Sequence, residues 1–212
     1  MALPSEKLIT INDRGARAAT TFGSLSAGGA NMVFIKKLTA SSSATLSFVD
    51  GASSVVLDDT YKEYVFTYNN IHAATDNVEF QFNVSIDGGS NYNVAKTTTY
   101  FRTYNYEDGS DAALGYRTPR DLAQGTGFQA LTEGQGNGND ESCSGQLTIF
   151  NPSDTTFVKH FIARNSMYGR TDYEMDIYVA GYANTTSAVN AIQFKMSSGN
   201  IDSGVIKLYG IS

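Results

Sequence analysis

The side chains best suited to chemistry in this chain of 212 residues are His72, His160 and Cys143, its two histidines and its one cysteine. A hydrolytic site needs a nucleophile within reach of a base, and a third group to orient that base. His160 lies in Phe157-Val158-Lys159-His160-Phe161, where alternation puts Phe157, Lys159 and Phe161 on one strand face. It reads as a strand histidine bonded to backbone or packed at an interface. His72 follows Asn69-Asn70-Ile71, a turn composition, and reads as a solvated loop residue. Cys143 stands between Ser142 and Ser144 with no basic neighbour to lower its thiol, so it reads as inert at the start of a strand.

Carboxylates cluster at Asp58-Asp59, at Glu107-Asp108 with Asp111, and at Asp140-Glu141. A glycosidase needs two such groups facing one another, which spacing along a chain does not show. The run Asn137-Gly138-Asn139-Asp140-Glu141 lacks the alternating ligands of a calcium loop, so these charges read as solvated loop groups. The chain has no G-x-S-x-G elbow, no phosphate-binding G-x-x-x-x-G-K-[ST] loop and no H-E-x-x-H zinc helix. The expectation is a protein that is not an enzyme, with no cofactor and no metal.

The elements that position these residues are strands. Val78, Phe80, Phe82, Val84 and Ile86 alternate with Glu79, Gln81, Asn83 and Ser85, and Asp87-Gly88-Gly89-Ser90 ends the run. Period-two alternation puts the apolar set on one pleat face and the polar set on the other, as a half-buried antiparallel strand requires. Similar segments recur at 32–38, 44–49, 61–68, 78–86, 92–104, 146–150, 156–164, 175–182, 191–196 and 205–209. Turn clusters at Asp50-Gly51, Asn69-Asn70, Asp87-Gly88, Asn151-Pro152-Ser153 and Ser198-Gly199-Asn200 separate them. The pattern predicts an all-β fold, an antiparallel β-sandwich of jelly-roll type. One short helix is expected over 118–124, with Thr118 as its cap and Pro119 at its first position. Residues 134–144 read as a polar loop rich in Gly and Asn.

Two domains follow: an extended arm at 1–30 and the sandwich at 31–212. The arm holds Leu8, Ile9, Ile11, Arg14 and Arg17 in a stretch with few large apolar side chains, too little to offset its own ordering entropy without a partner. Leu8, Ile9 and Ile11 suit strand addition to a neighbour's sheet edge, and Arg14 and Arg17 suit pairing with that neighbour's carboxylates. Net charge is −6 and no Lys/Arg cluster is present, which argues against nucleic acid as partner. The start Met1-Ala2-Leu3-Pro4-Ser5-Glu6-Lys7 lacks the basic and apolar regions of a secretion signal, and no apolar run approaches the ~20 residues of a membrane helix. Only 17% of residues are charged, while 13 Tyr and 12 Phe are present, a balance that suits contact between proteins.

From about Phe34 onward the chain resembles a family of structural proteins of marine tailed phages, those of cyanobacteria and of abundant ocean heterotrophs. The likeness rests on Phe34-Ile35-Lys36-Lys37-Leu38-Thr39-Ala40, Ala44-Thr45-Leu46-Ser47-Phe48-Val49-Asp50, Leu57-Asp58-Asp59-Thr60-Tyr61 and Asn70-Ile71-His72. It continues in Asp121-Leu122-Ala123-Gln124, Phe150-Asn151-Pro152-Ser153 and Phe157-Val158-Lys159-His160-Phe161. Its most specific part is Gln193-Phe194-Lys195-Met196-Ser197-Ser198-Gly199-Asn200-Ile201, with Gly204 and Lys207-Leu208-Tyr209-Gly210-Ile211. The resemblance implies a virion or tail-associated structural protein without catalytic residues, made in the host cytoplasm and carried on the particle.

The expected role is therefore a non-enzymatic subunit on the particle surface, a homotrimer bound to major capsid or tail proteins. It would serve as capsid decoration or as a head or tail fibre module, and decoration is favoured because the chain contains no fibre shaft. The arm is the expected anchor. The alternative is a carbohydrate-binding module that recognises host glycans, with Tyr104, Tyr106 and Tyr116 beside the polar loops as candidate contacts. A glycan depolymerase, the third class, would need a facing carboxylate pair.

Overall fold

A computed structural model describes residues 32–211. The expected arm, with Leu8, Ile9, Ile11, Arg14 and Arg17, lies outside the described residues. The strands are β1 (Met32–Ser43), β2 (Leu46–Val49), β3 (Glu63–Ala73), β4 (Phe80–Ser85), β5 (Lys96–Tyr106) and β6 (Ala112–Tyr116). After them come β7 (Gln129–Ala130), β8 (Cys143–Phe150), β9 (Lys159–Gly169), β10 (Tyr173–Ala183), β11 (Ala191–Met196) and β12 (Ile201–Ile211). They form an eight-stranded sheet in the order β1-β12-β3-β8-β9-β10-β5-β6 and a four-stranded sheet in the order β2-β11-β4-β7. Every pairing is antiparallel. The expected sandwich is present. The division into eight and four strands does not by itself establish the two-times-four winding of a jelly roll.

The core lies between the sheets. Phe80, Phe82, Val84, Phe194 and Met196 all point into it and are at most 2% exposed. Phe194 of β11 stacks on Phe80 with ring centres 5.6 Å apart, and Phe82 meets Phe161 of β9 edge-on at 5.0 Å. Phe48 of β2 meets Phe66 of β3 edge-on at 5.3 Å, which ties the sheets together near the centre of the large one.

Several expectations are corrected. The polar partners in β4 do not all face water, since Asn83 and Ser85 are buried while Ile86 is 42% exposed. The strand ends before Ile86, and the chain at Tyr92, Thr126 and Gly127 covers the outer side of β4 by accepting hydrogen bonds from the Asn83 amide at 2.7, 3.0 and 3.3 Å. Asn69-Asn70 is a bulge rather than a turn, with Asn70 at φ 50° and the pairing register shifting between Tyr68 and Ile71, so β3 runs on to Ala73. Phe157 precedes β9 and is 70% exposed, so only Lys159 and Phe161 share the inner face.

The expected helix over 118–124 is a single 3-10 turn, Thr118–Arg120, whose cap position falls on Arg117. It stops because Asp121 turns extended, and the chain then runs beside β5. There Leu122 N donates to Thr98 Oγ1 at 2.8 Å, and Lys96 and Gly125 exchange backbone hydrogen bonds at 2.9 and 3.0 Å. Strand pairing competes with the second helical turn and wins. The short sheet packs on β3 and β9, so this 117–135 segment is what covers the inner face of β5.

Candidate binding cleft and an open sheet face

The segment over β5 is held by buried polar side chains. Gln129, Thr132 and Gln135 are fully buried and Glu133 is 8% exposed. Thr98 donates its hydroxyl to Gln129 Oε1 at 2.7 Å, Phe80 N donates to Thr132 Oγ1 at 2.7 Å, and Gln135 Nε2 donates to the Ile71 carbonyl at 2.6 Å. These bonds bring Glu133 beside β5. Arg102 Nε donates to it at 3.1 Å and Arg117 Nε at 3.0 Å, while Arg120 lies 3.8 Å away and pairs with Glu79 at 2.9 Å. Burial raises the Glu133 carboxyl, and the hydrogen bond and charge of Arg117, with Arg102 and Arg120, outweigh it, so the group stays below the ordinary glutamate value.

This network floors a cleft of about 290 Å³. Arg102, Tyr104 and Tyr106 are alternate residues of β5 and enter it from one strand face, with Tyr173 and Met175 from β10 and Gly134, Asn77, Arg170 and Thr171 from loops. Gly134 has φ 69°, and a Cβ there would stand 2.9 Å from the Tyr173 hydroxyl, so both backbone and space call for glycine. Tyr104 and Tyr106 meet at 88° with centres 5.9 Å apart, and the Arg102 guanidinium covers the Tyr104 ring at 4.6 Å. The tyrosines therefore wall a slot rather than form a flat platform. Two of the three candidate glycan residues come together here. Tyr116 does not, because it pairs with Phe101 in register and points from the opposite face of the sheet, where its hydroxyl donates to Asp121 at 2.5 Å.

That opposite face is the second notable surface. Among the described residues, six of the eight exposed large apolar side chains lie on it: Met32, Phe34, Phe101, Leu114, Tyr116 and Ile162. Pairing aligns Phe34, Tyr209, Val65, Thr148, Ile162, Ala180 and Thr99 in one row. The next row runs Lys37, Lys207, Thr67, Gln146, Arg164, Tyr178, Phe101 and Tyr116. Phe101 stacks on Tyr178 with centres 4.8 Å apart, and Arg164 grips Asp176 through two hydrogen bonds of 3.1 and 2.9 Å.

The residues first considered for catalysis form no site: His160 stands away from the other two, and although Cys143 pairs in register with Ile71, next to His72, it is buried while His72 turns outward. His160 is exposed on the open face beside Tyr182, with ring centres 6.1 Å apart. His72 is not a solvated loop residue. Because β3 continues past the bulge, its Nε2 meets the Gly138 carbonyl at 2.9 Å and its Nδ1 faces Asp202 at 3.4 Å. Cys143 is buried at the start of β8, and burial pushes its thiol far above the ordinary range, which removes it as a nucleophile. The carboxylates serve their own turns and neighbours: Asp58 accepts from Thr60 N at 2.8 Å, Asp108 from Ser110 N at 2.8 Å, Asp111 from the Tyr104 hydroxyl at 2.6 Å, and Glu141 from Gly138 N.

Sequence reasoning missed the Arg102–Arg117–Arg120–Glu133 network. The available signal was Arg102, Tyr104 and Tyr106 at period two; nothing local marks Glu133 as their partner. Comparison of the chain with protein-family models, curated proteins and solved structures returns no match.

Proposed function

We propose that the chain is a non-enzymatic structural subunit of a phage particle surface, assembling with other copies of itself through the outer face of the eight-stranded sheet. The observation that carries this reading is that Met32, Phe34, Phe101, Leu114, Tyr116 and Ile162 all face one side of the sheet, at its two flanks and on β9 between them. Exposed apolar side chains gathered on one surface of a water-facing protein mark a contact site, whereas scattered ones need no explanation. The charges suit a head-to-tail ring: Lys37 and Lys207 stand at the β1–β12 flank, and Glu174 stands on β10 toward the other, beside the Arg164–Asp176 pair. A trimer closes such a heterologous contact. The particle assignment draws on the resemblance of the 34–211 stretch to phage structural proteins, with capsid decoration preferred over a fibre module and the virion as its location. Quantitative peptide mass spectrometry of purified particles tests it. A copy number comparable to that of the major capsid protein means decoration, a few copies mean a tail part, and absence from the particle refutes the assignment.

A second reading, a host-glycan recognition module on a tail appendage, is favoured by the cleft that gathers Tyr104, Tyr106 and Tyr173 with arginines.

A further inference from the structure

We propose that the cleft at the end of β5 takes a single sugar unit bearing one anionic group, either a carboxylate or a sulfate ester. The inference rests on the recognition reading above and narrows it to a ligand class. Around the cleft stand Arg102, Arg117, Arg120 and Arg170, against the carboxylates Glu79 and Glu133 that bind three of them. With Asp111, which accepts from the Tyr104 hydroxyl in the wall, four cations stand against three anions and leave a formal charge of +1. Among the described residues no carboxylate lies within ion-pair distance of Arg170, which is exposed at the mouth.

Two polar atoms add an independent indication. Tyr100 lies under Arg102 on the same strand face, buried beneath the cleft rather than in its wall, and among the described residues its hydroxyl has no hydrogen-bond partner; neither has the buried Nε of Arg120, which does line the cleft. Burial, and after it the charge of Glu133, pushes the Tyr100 hydroxyl well above the ordinary tyrosine range. Buried polar atoms are nearly always satisfied, so two orphans in one charge cluster call for an explanation beyond packing. Glu133 and Glu79 occupy Arg102, Arg117 and Arg120, so the fork of Arg170, which recognises carboxylate and sulfate oxygens in its own plane, is the group offered to a ligand.

The rest of the lining selects a sugar over other anions. Met175 is the one purely apolar side chain in the wall; Asn77, Thr171, Tyr106 and Tyr173 offer hydroxyl or amide groups, and Gly134 its backbone. A ligand with hydroxyls on every side suits such a wall, whereas an apolar peptide side chain would meet Met175 alone. The volume of about 290 Å³ stands at the small end of ligand clefts, so one unit enters rather than a chain.

The test is a calorimetric or NMR titration of the full chain with D-glucuronate, D-glucose 6-sulfate, D-glucose, sodium sulfate and N-acetylglutamate amide. The expected result is saturable binding of glucuronate, glucose 6-sulfate or both, at least about tenfold tighter than glucose. Which of the two binds better identifies the anionic group. Arg170→Ala, at an exposed position, should weaken that binding about tenfold with an unchanged thermal midpoint. Equal binding of glucose and glucuronate would overturn the anionic assignment and leave glycan recognition standing. Binding of sulfate or N-acetylglutamate amide as tight as that of the sugars would reduce the cleft to a general anion site. If no sugar binds, both readings fall.

Discussion

Lys96 provides a quantitative test of the packing around β5. It is fully buried at the first position of the strand, and its ammonium donates to the Val94 carbonyl at 2.9 Å and to the Asn83 side-chain oxygen. Burial pushes it from 10.5 down to about 7. Between these values the unfolded chain holds a proton that the folded chain has released, so raising the pH through that window favours folding. The contribution is fully present above the unfolded value and is lost as pH falls toward 7. At about 1.4 kcal/mol per pH unit, the gap between the two values sets an upper limit of about 5 kcal/mol. The perturbation is Lys96→Met, which removes the titration and leaves the Asn83 and Val94 oxygens without this donor, at a pH-independent cost of about 1–3 kcal/mol. Urea unfolding of both proteins across this range measures the difference, and every other titrating group cancels. Wild-type stability relative to the variant should rise by about 3–4 kcal/mol between pH ~7 and pH ~10. A difference that stays constant over this range would mean that Lys96 is solvated or paired, and that the 117–135 segment does not seal β5 as described.

Three further outcomes follow from the same packing. Phe82→Ala removes a fully buried ring in contact with Phe161 and Phe194, and should cost about 3–5 kcal/mol in denaturant; a loss under about 1 kcal/mol would rule out its place in the core. Glu133→Gln leaves Arg102, Arg117 and Arg120 short of their shared anion and should lower stability by about 2 kcal/mol or more at neutral pH. Because that carboxyl is held low in the fold, the gap between wild type and variant should close as pH falls below about 4.5, and a gap independent of pH contradicts the network. Cys143 should react with a thiol reagent only as fast as the chain unfolds, while rapid labelling of the native protein would contradict its burial.

What was legible in the sequence is where local pattern and tertiary burial agree. Ala191–Met196 matches its expected limits because its apolar residues alternate and a turn follows at Ser198-Gly199-Asn200. The strand Ala112–Tyr116 was invisible because Ala112, Ala113 and Leu114 all stand exposed on a sheet edge, so no face of it is marked by burial. Gln129–Ala130 is too short to carry a period, and its pairing with Gln81 and Phe82 alone makes it a strand. No local pattern marks Gln129, Thr132, Glu133 and Gln135 as interior, yet they lie inside because each finds a hydrogen-bond partner on another segment. The cleft was half legible for a related reason. Tyr104 and Tyr106 share a face by period two, but the face of Tyr116 depends on its register with Phe101, and Glu133 is 31 residues from Arg102.

The claim on which the functional account rests is that the outer face of the eight-stranded sheet joins copies of this chain. Light scattering on the purified full chain, as wild type and as Ile162→Glu, tests it most directly. Ile162 is 51% exposed at the middle of the apolar row, so a charge there leaves the fold intact and spoils only a contact. The wild type should have a mass near three times the 22.8 kDa of one chain, and the variant should be a monomer of unchanged thermal midpoint. A wild-type monomer, or a variant that remains a trimer, would contradict it.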